Sequence, residues 1–240
     1  MAHYPECNLG TNKTYAEVMG GFLPALADFY ENPDSYALEP FCIFGNLYYV
    51  GDRKVCMHLV DTGEGLILFD SGYSHNYHGL LHSIHALGFS PADIKILIHS
   101  HAHFDHLGAV RGIVADTDCR VFVEEKELTL PPTMTDGPIF YTDLYPAEGV
   151  ICMADLDIKV IRTPGHTPGS VCLLIADAMF SGDTLFAGSM GRCDFPGSSI
   201  FDMRKSLKKL YNLAGDYRVF PGHAEATTLE YERKTNPYLR

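Results

Sequence analysis

Apolar residues along this chain fall mostly into short runs separated by turns, and a few segments instead have helical spacing. Runs near 41–50, 54–61, 65–70, 94–99, 120–124, 150–153, 156–162, 170–176 and 178–181 predict β-strands. Apolar residues three and four apart predict helices over 14–30, 75–88, 201–213 and 228–234. Strands and helices mixed in this way predict an α+β fold in which two sheets are flanked by helices.

The densest group of candidate metal ligands directly follows the strand predicted at 94–99. His101, His103, Asp105 and His106 fall within six positions, and imidazole nitrogens and carboxylate oxygens are ligands of divalent ions in catalytic sites. On an extended backbone His101 and His103 would point the same way, whereas the adjacent Asp105 and His106 would point apart, toward a second ion. The alternative is a histidine-rich surface loop, because a lone motif discriminates poorly.

Three later segments add candidate ligands, each just after a predicted strand. His166 lies in the turn Thr-Pro-Gly-His-Thr-Pro-Gly, Asp183 follows Phe-Ser-Gly, and His223 follows Phe-Pro-Gly. Proline fixes φ and glycine permits unusual φ, so such turns hold a strand-end side chain in one direction. With the first cluster this makes five histidines and two aspartates, enough for two ions with three protein ligands each and one shared carboxylate.

The order HxHxDH, TPGHTPG, SGDTLF and PGH resembles that of the metallo-β-lactamase superfamily, over roughly residues 41–238. The resemblance implies a four-layer αββα sandwich with the metal site at one edge of the two sheets. It implies a first ion bound by His101, His103 and His166, and a second ion bound by Asp105, His106 and His223. Asp183 would bridge the two ions, and Asp70 would support the ligand loop without binding metal itself.

Within that superfamily, different parts of the chain point to different activities. Residues 41–70 resemble the third subclass of true metallo-β-lactamases, whereas residues 183–197 and 221–239 resemble short glyoxalase II-type hydrolases. True metallo-β-lactamases lack the bridging aspartate that Asp183 supplies here. The resemblance therefore favours glyoxalase II-type chemistry and leaves the substrate open.

The function that the resemblance implies is that of a dinuclear metal-dependent hydrolase, similar to hydroxyacylglutathione hydrolase, acting on an acyl thioester or ester of a small molecule. Two divalent ions, zinc first and iron or manganese as alternatives, would lower the pKa of a bridging water. The resulting hydroxide would attack the acyl carbonyl, with Asp105 and Asp183 as the catalytic carboxylates. A β-lactamase or lactonase activity is the alternative, followed by a mononuclear iron persulfide dioxygenase.

Candidate substrate-binding residues lie in two loops. Arg192 could hold a substrate carboxylate through two hydrogen bonds, or it could form an ion pair within the protein. Residues 131–149 form a long connection between strands, and loops of that length are usually functional lids or disordered segments. The aromatic residues Phe140, Tyr141 and Tyr145 favour a lid and are candidate substrate contacts.

Length, charge and cysteine content narrow the class of protein. At 240 residues and 46% hydrophobic content, the chain can form one domain over 1–240, with 1–40 as an N-terminal extension that has a helix. A net charge of −12 repels nucleic acid. No apolar run approaches the roughly 18 residues of a membrane helix, the start lacks the features of a signal peptide, and seven scattered cysteines are typical of reduced thiols. We therefore expect a cytoplasmic enzyme with a small-molecule acyl substrate and with neither nucleic-acid nor membrane partners; the sequence does not indicate the oligomeric state.

Overall fold

A computed structural model describes residues 32–239 of the chain. The strands are β1 (Phe41–Phe44), β2 (Leu47–Tyr49), β3 (His58–Asp61), β4 (Leu66–Phe69), β5 (Ile94–Ile98), β6 (Arg120–Val123), β7 (Asp143–Leu144), β8 (Val150–Met153), β9 (Leu156–Arg162), β10 (Val171–Ile175), β11 (Ala178–Gly182), β12 (Leu185–Phe186), β13 (Ser189–Met190), β14 (Arg218–Pro221) and β15 (Thr227–Thr228). The α-helices are α1 (Tyr77–Ala86), α2 (Phe104–Leu107), α3 (Val110–Asp116), α4 (Pro132–Thr135), α5 (Ile200–Tyr211) and α6 (Leu229–Thr235). The helix predicted over 14–30 lies outside the described residues.

The strands form two large mixed sheets and a small hairpin. The first sheet has the order β1-β2-β3-β4-β5-β6-β7, antiparallel from β1 to β4 and parallel from β4 to β7. The second has the order β15-β14-β11-β10-β9-β8, in which only β11 and β14 pair in parallel. Strands β12 and β13 form the hairpin. This topology turns the carboxyl ends of β9, β11 and β14 toward one edge of the second sheet.

Three apolar clusters define four layers. The central cluster joins the facing surfaces of the two sheets, and in it the rings of Phe69 and Phe180 stack with centroids 4.0 Å apart. The outer face of the first sheet packs against α1 and α3 through residues such as Leu80 and Ile113. The outer face of the second sheet packs against α5 and α6, for example through Leu207. The predicted α+β, four-layer αββα sandwich is confirmed.

A predicted strand that is apolar without alternation, such as β10, has both faces buried. Along β10, Val171, Leu173 and Ile175 lie in the central cluster, while Cys172 and Leu174 lie in the cluster under α5 and α6. None of the cysteines in residues 32–239 forms a disulfide. None of the helices in that part of the chain is long and apolar enough to cross a membrane.

The single strand predicted near 41–50 is wrong. The structure has two short antiparallel strands, with Phe44 opposite Leu47 and a turn at Gly45 and Asn46. Gly45 has a φ of 54°, a left-handed conformation that glycine adopts at low cost and that tight hairpin turns require. The Gly-Asn pair inside an apolar run was the signal for this turn.

We expect Ile158→Val to lower the free energy of unfolding by about 1 kcal/mol, because it removes one buried methylene and leaves a small cavity. Ile158 is fully buried in β9 between the two sheets. Its neighbour Lys159 is exposed, so Lys159→Gln serves as the matched control and should change stability by less than about 0.5 kcal/mol. Urea denaturation measures both; equal effects would contradict the placement of β9.

Candidate metal centre

The residues that follow four strands meet at one edge of the two sheets. Strand β5 leads into the loop of residues 99–106, and β9, β11 and β14 lead to His166, Asp183 and His223. Three groups of side chains there have ligand atoms within 4.8 Å of one another: His101, His103 and His166; His101, His106 and Asp183; and Asp105, His106 and His223. All of these side chains are buried. The structure thus brings together every residue that the sequence analysis named as a metal ligand.

Asp70 makes hydrogen bonds to the ligand loop of residues 99–106, in the supporting role that the resemblance implies. It follows β4 with a φ of 58°, a left-handed conformation that aspartate tolerates better than most residues. Its Oδ1 accepts a hydrogen bond from the Ser100 backbone N–H at 2.7 Å, and its Oδ2 accepts from the Ser100 hydroxyl at 2.8 Å. His106 Nδ1 donates to the same Oδ2 at 2.9 Å. One buried carboxylate therefore fixes both the backbone of the loop and an imidazole ring.

Outward hydrogen bonds fix the orientation of three imidazoles. His106 Nδ1 donates to Asp70, His166 Nδ1 donates to the backbone oxygen of Arg192 at 2.8 Å, and His223 Nδ1 donates to the backbone oxygen of Lys54 at 2.5 Å. Since these acceptors carry no proton, each Nδ1 must carry one. A neutral imidazole then has its lone pair on Nε2, and in all three rings Nε2 points into the cluster.

The inward-facing atoms fit a divalent cation. The Nε2 atoms of His106 and His223 face each other 3.2 Å apart, and two lone pairs at that distance repel unless positive charge lies between them. His166 Nε2 lies 2.9 Å from His103 Nδ1. Within residues 32–239, neither His101 Nε2 nor Asp183 Oδ1 has a hydrogen-bond partner, although both are buried. Buried polar atoms without partners are costly, and a bound cation would satisfy them.

The local charges favour the same conclusion. Burial lowers the pKa values of His101 and His103 far below the usual range, and the neighbouring imidazoles lower them further, so both rings are neutral and able to bind metal. At His223 burial also lowers the pKa, but the carboxylates of Asp183 and Asp105 outweigh it and raise the pKa to about 10. The two carboxylates therefore attract positive charge to this side of the cluster, as a proton or as a metal ion.

Asp183 lies between the two sets of predicted ligands. Its Oδ2 is 3.4 Å from His166 Nε2 and 3.6 Å from His223 Nε2, and its Oδ1 is 3.6 Å from His106 Nε2. The carboxylate of Asp183 can lie here only because residue 222 is a glycine, since an added Cβ at Gly222 would lie 2.5 Å from Asp183 Oδ1. This central position is what the prediction of a shared carboxylate requires.

Arg192 makes the internal ion pair that was one of its two predicted roles. Its Nε and Nη2 donate to the two carboxylate oxygens of Asp194 at 2.9 and 2.8 Å, and its guanidinium lies over the ring of Phe195, 4.4 Å from the centroid. Its backbone oxygen orients His166, as described above. The contact of Arg192 with a substrate carboxylate stays a prediction.

Two aromatic rings stand beside the histidines. The ring of Phe195 meets that of His103 edge-on, with centroids 5.5 Å apart, and Phe186 lies 6.4 Å from His223 on the other side. Apolar rings thus lie beside both His103 and His223. Phe195 belongs to the stretch 183–197, which was noted in the sequence for its resemblance, not for a substrate contact.

The structure places Tyr145 in the core and Phe140 against it, and the contact of either residue with substrate stays a prediction. Tyr145 is 6% exposed in the central cluster, and its hydroxyl donates to the backbone oxygen of His99 at 2.7 Å. Phe140 packs under the first sheet with the residues of α1 and α3. Tyr141 is exposed and comes just before β7, at the border of the first sheet. Strand β7 belongs to the first sheet, so Phe140 and Tyr145 on either side of it pack against that sheet.

The first part of the predicted lid does lie near the ligand loop. Helix α4 contacts α2, and Leu130 and Ile139 pack against Ala102 and Leu107. The segment 131–149 is therefore partly a wall beside the ligand loop and partly core, and it is not a single lid. Sequence length alone could not separate these two roles.

Two further contacts were missed in the sequence. The Lys54 backbone oxygen that orients His223 carries no sequence signal, because any residue could supply it. Glu127 accepts hydrogen bonds from the backbone N–H groups of Ala102 and Gly169, but it lies in no motif. Glu127 is notable only because the folded chain buries it.

Comparison with known proteins agrees with this architecture. The model of the metallo-beta-lactamase superfamily matches residues 50–223. A "Probable metallo-hydrolase" of Methanocaldococcus jannaschii is 31% identical over 176 residues, covering 68% of this chain and 84% of that protein. The hydroxyacylglutathione hydrolase GloC of Haemophilus influenzae is 29% identical over 162 residues, covering 61% of this chain and 76% of that protein.

Solved structures with the same fold include subclass B3 enzymes. The BLEG-1 B3 metallo-beta-lactamase superposes with a TM-score of 0.71 at 25% identity, covering 80% of this chain and 99% of that one. A beta-lactamase from Chitinophaga pinensis gives a TM-score of 0.68 at 25% identity, covering 79% and 80% of the two chains. The family model matches residues 50–223, and the fold and the cluster of buried histidines and aspartates agree with that match. This chain therefore belongs to the metallo-β-lactamase superfamily.

Proposed function

We propose that the chain is a dinuclear metal-dependent hydrolase that cleaves an acyl thioester or ester of a small molecule. The observation that carries the proposal is the position of Asp183, whose carboxylate lies within 3.6 Å of imidazole nitrogens from both sets of predicted ligands. A carboxylate in that place can serve two ions at once. Zinc is the first candidate, and the same donors suit iron or manganese.

The residues fall into two sets that would each hold one ion. The first set is His101, His103 and His166, and the second is Asp105, His106 and His223. Asp183, which groups with His101 of the first set and His106 of the second, would be common to both. Ions held in this way supply a water acidic enough to ionise near neutral pH and positive charge for the oxyanion of the reaction. Imidazoles bound to an ion would be neutral donors, so the two aspartates would determine how much positive charge remains.

The chain's own groups determine orientation and access. Asp70, the Arg192 backbone oxygen and the Lys54 backbone oxygen fix the tautomers of three imidazoles, and such outer hydrogen bonds also make the rings better donors. In the proposed reaction Asp105, whose Oδ2 lies 3.3 Å from His223 Nε2, accepts a hydrogen bond from the attacking water and orients it. Phe195 and Phe186 limit the approach to the cluster and favour an acyl group that tolerates apolar walls.

Cleavage of β-lactams is the second candidate, and the likeness to B3 metallo-beta-lactamases at 25% identity favours it. Support for the thioester proposal comes from Asp183 and from the 29% identity with a hydroxyacylglutathione hydrolase. The two candidates share their metal chemistry and differ in the leaving group, a thiolate or alkoxide in one case and a ring amine in the other.

The experiment that tests the proposal is elemental analysis of protein purified without added metal, followed by turnover of S-lactoylglutathione and nitrocefin by the same sample. We expect about two ions per chain and cleavage of the thioester. Two ions with cleavage of nitrocefin alone would move the assignment to a β-lactamase. A single iron without hydrolysis of either compound would contradict the dinuclear hydrolase and favour a dioxygenase.

Arg192 allows a sharper test of substrate charge. Because Asp194 takes both Nε and Nη2, a substrate carboxylate would have to displace an existing ion pair, and we expect Arg192→Gln to raise KM for S-lactoylglutathione by less than about threefold. A thioester without carboxylates is the control substrate. A tenfold rise in KM for the charged thioester alone would instead assign Arg192 to substrate binding.

A further inference from the structure

Glu127 is a buried carboxylate outside the predicted metal ligands. It lies in the 3-10 turn Glu125–Thr129, just after β6, and its exposed fraction is 1%. Among the described residues, no lysine, arginine or histidine forms an ion pair with it. A buried carboxylate without a cation is costly unless strong hydrogen bonds compensate. Its position therefore calls for an explanation beyond packing.

Those hydrogen bonds come from two loops that are distant in sequence. Oε2 accepts from the Ala102 backbone N–H at 2.5 Å, and Oε1 accepts from the Gly169 backbone N–H at 2.6 Å. Burial raises the pKa of Glu127, and the Thr167 hydroxyl and the two backbone N–H groups act in the opposite direction. Ala102 separates two predicted ligands of the first set, and Thr167 and Gly169 belong to the turn that carries the third.

The close approach of Glu127 to the second loop requires a glycine. A Cβ added at Gly169 would lie 2.7 Å from Glu127 Oε1 and 2.8 Å from its Cγ. Real Cβ atoms are essentially never found so close to another heavy atom, and the backbone nitrogen of Glu127 would lie only 2.9 Å away. A side chain at position 169 would therefore displace Glu127. The Pro-Gly pair after Thr167 is thus shaped for this contact as well as for the turn.

We propose that Glu127 is a positioning residue, which joins the loop of His101 and His103 to the turn of His166 and so sets the separation of these three histidines. Each carboxylate oxygen binds one loop, and neither loop can move without breaking a charge-assisted hydrogen bond. The consequence for metal affinity rests on the proposed function, whereas the joining of the loops does not. Carboxylates that act on ligands from outside typically change metal affinity 10–100-fold when they are replaced.

The test compares Glu127→Gln with Glu124→Gln. Glutamine has the same shape, but its NH2 group cannot accept, so one of the two backbone donors loses its partner. Glu124 is the matched control, because it is also buried in the same segment but pairs with Arg162 at 3.0 Å. Gly169→Ala is a second variant, which displaces the carboxylate and keeps its charge.

Two readouts separate this inference from the proposed function. In metal-free protein, we expect faster hydrogen exchange at the Ala102 and Gly169 amides in Glu127→Gln and Gly169→Ala, but not in Glu124→Gln. In zinc titrations against a chromophoric chelator, we expect the affinity for the more tightly bound zinc ion to fall about 10–100-fold in the same two variants. Unchanged exchange at both amides in Glu127→Gln would overturn the inference. A wild-type protein that binds neither zinc nor iron nor manganese would instead overturn the proposed function, and the exchange data would still decide the role of Glu127.

Discussion

Replacing Asp183 with asparagine is expected to reduce kcat about a thousandfold and to reduce bound metal from about two ions to about one per chain. Asparagine keeps the shape of the side chain but removes the negative charge that lies between imidazole nitrogens of both sets. Without that charge, two cations in one buried cluster repel each other with only Asp105 to compensate them. Elemental analysis and initial rates on the same preparation measure the two effects.

Asp177→Asn is the control for this substitution. Asp177 carries the same functional group in the turn between β10 and β11, where it is exposed and pairs with Arg218. Its loss should leave kcat and metal content within about twofold of the wild type. Full activity and full metal content in Asp183→Asn would contradict the role of a shared carboxylate.

Replacing Asp70 with alanine is expected to lower the free energy of unfolding by about 3–5 kcal/mol. The buried carboxylate accepts three hydrogen bonds, from the Ser100 N–H, the Ser100 hydroxyl and His106 Nδ1, and alanine leaves all of these donors without an acceptor. Asp70 also has a left-handed backbone, which alanine adopts less readily. Urea denaturation of metal-free protein measures the loss separately from any effect of bound ions.

Asp70→Asn separates the two causes, because asparagine favours the left-handed conformation and lacks only the charge and one acceptor. We expect it to lose less stability than Asp70→Ala. Asp61→Ala, at the end of β3 and partly exposed, should cost under about 1 kcal/mol. A similarly small loss in Asp70→Ala would show that the ligand loop does not depend on this carboxylate.

The metal ligands could be predicted because they follow strands that are themselves easy to recognise. Strands β5, β11 and β14 are mostly apolar and buried, whereas β9 alternates buried and exposed residues. Each of the four is followed by a turn or loop that carries histidine or aspartate. Since β9, β11 and β14 end at the same edge of the second sheet, their turns meet in space. A ligand set spread over more than 120 positions, from His101 to His223, was therefore readable in one sequence.

The surroundings of the cluster could not be predicted in the same way. Tyr145 and Phe140 lie in a long aromatic segment, and only the pairing of β7 with β6 shows that they belong to the core. Glu127 has no motif, because its partners are backbone N–H groups in loops that come together only in the folded chain. Orientation by the Lys54 backbone oxygen is likewise independent of residue type. Contacts of this kind depend on tertiary structure and leave no periodic signal.

The hairpin of β12 and β13 shows a further limit. It has only two residues in each strand, too few for a period of two to be visible. Its Gly188 has a φ of 68° and its N–H donates to the buried carboxylate of Glu232 at 2.8 Å. The stretch 183–197 could be recognised by resemblance before its conformation could be predicted.

The central claim is that two ions share Asp183, and the most direct test is electron paramagnetic resonance of protein loaded with Mn²⁺. Two ions about 3.5–4 Å apart and joined by a carboxylate should give an exchange-coupled spectrum at about two ions per chain. Asp183→Asn should lose that coupling, and Asp177→Asn should retain it. An uncoupled spectrum of a single ion in the wild-type protein would contradict the dinuclear site.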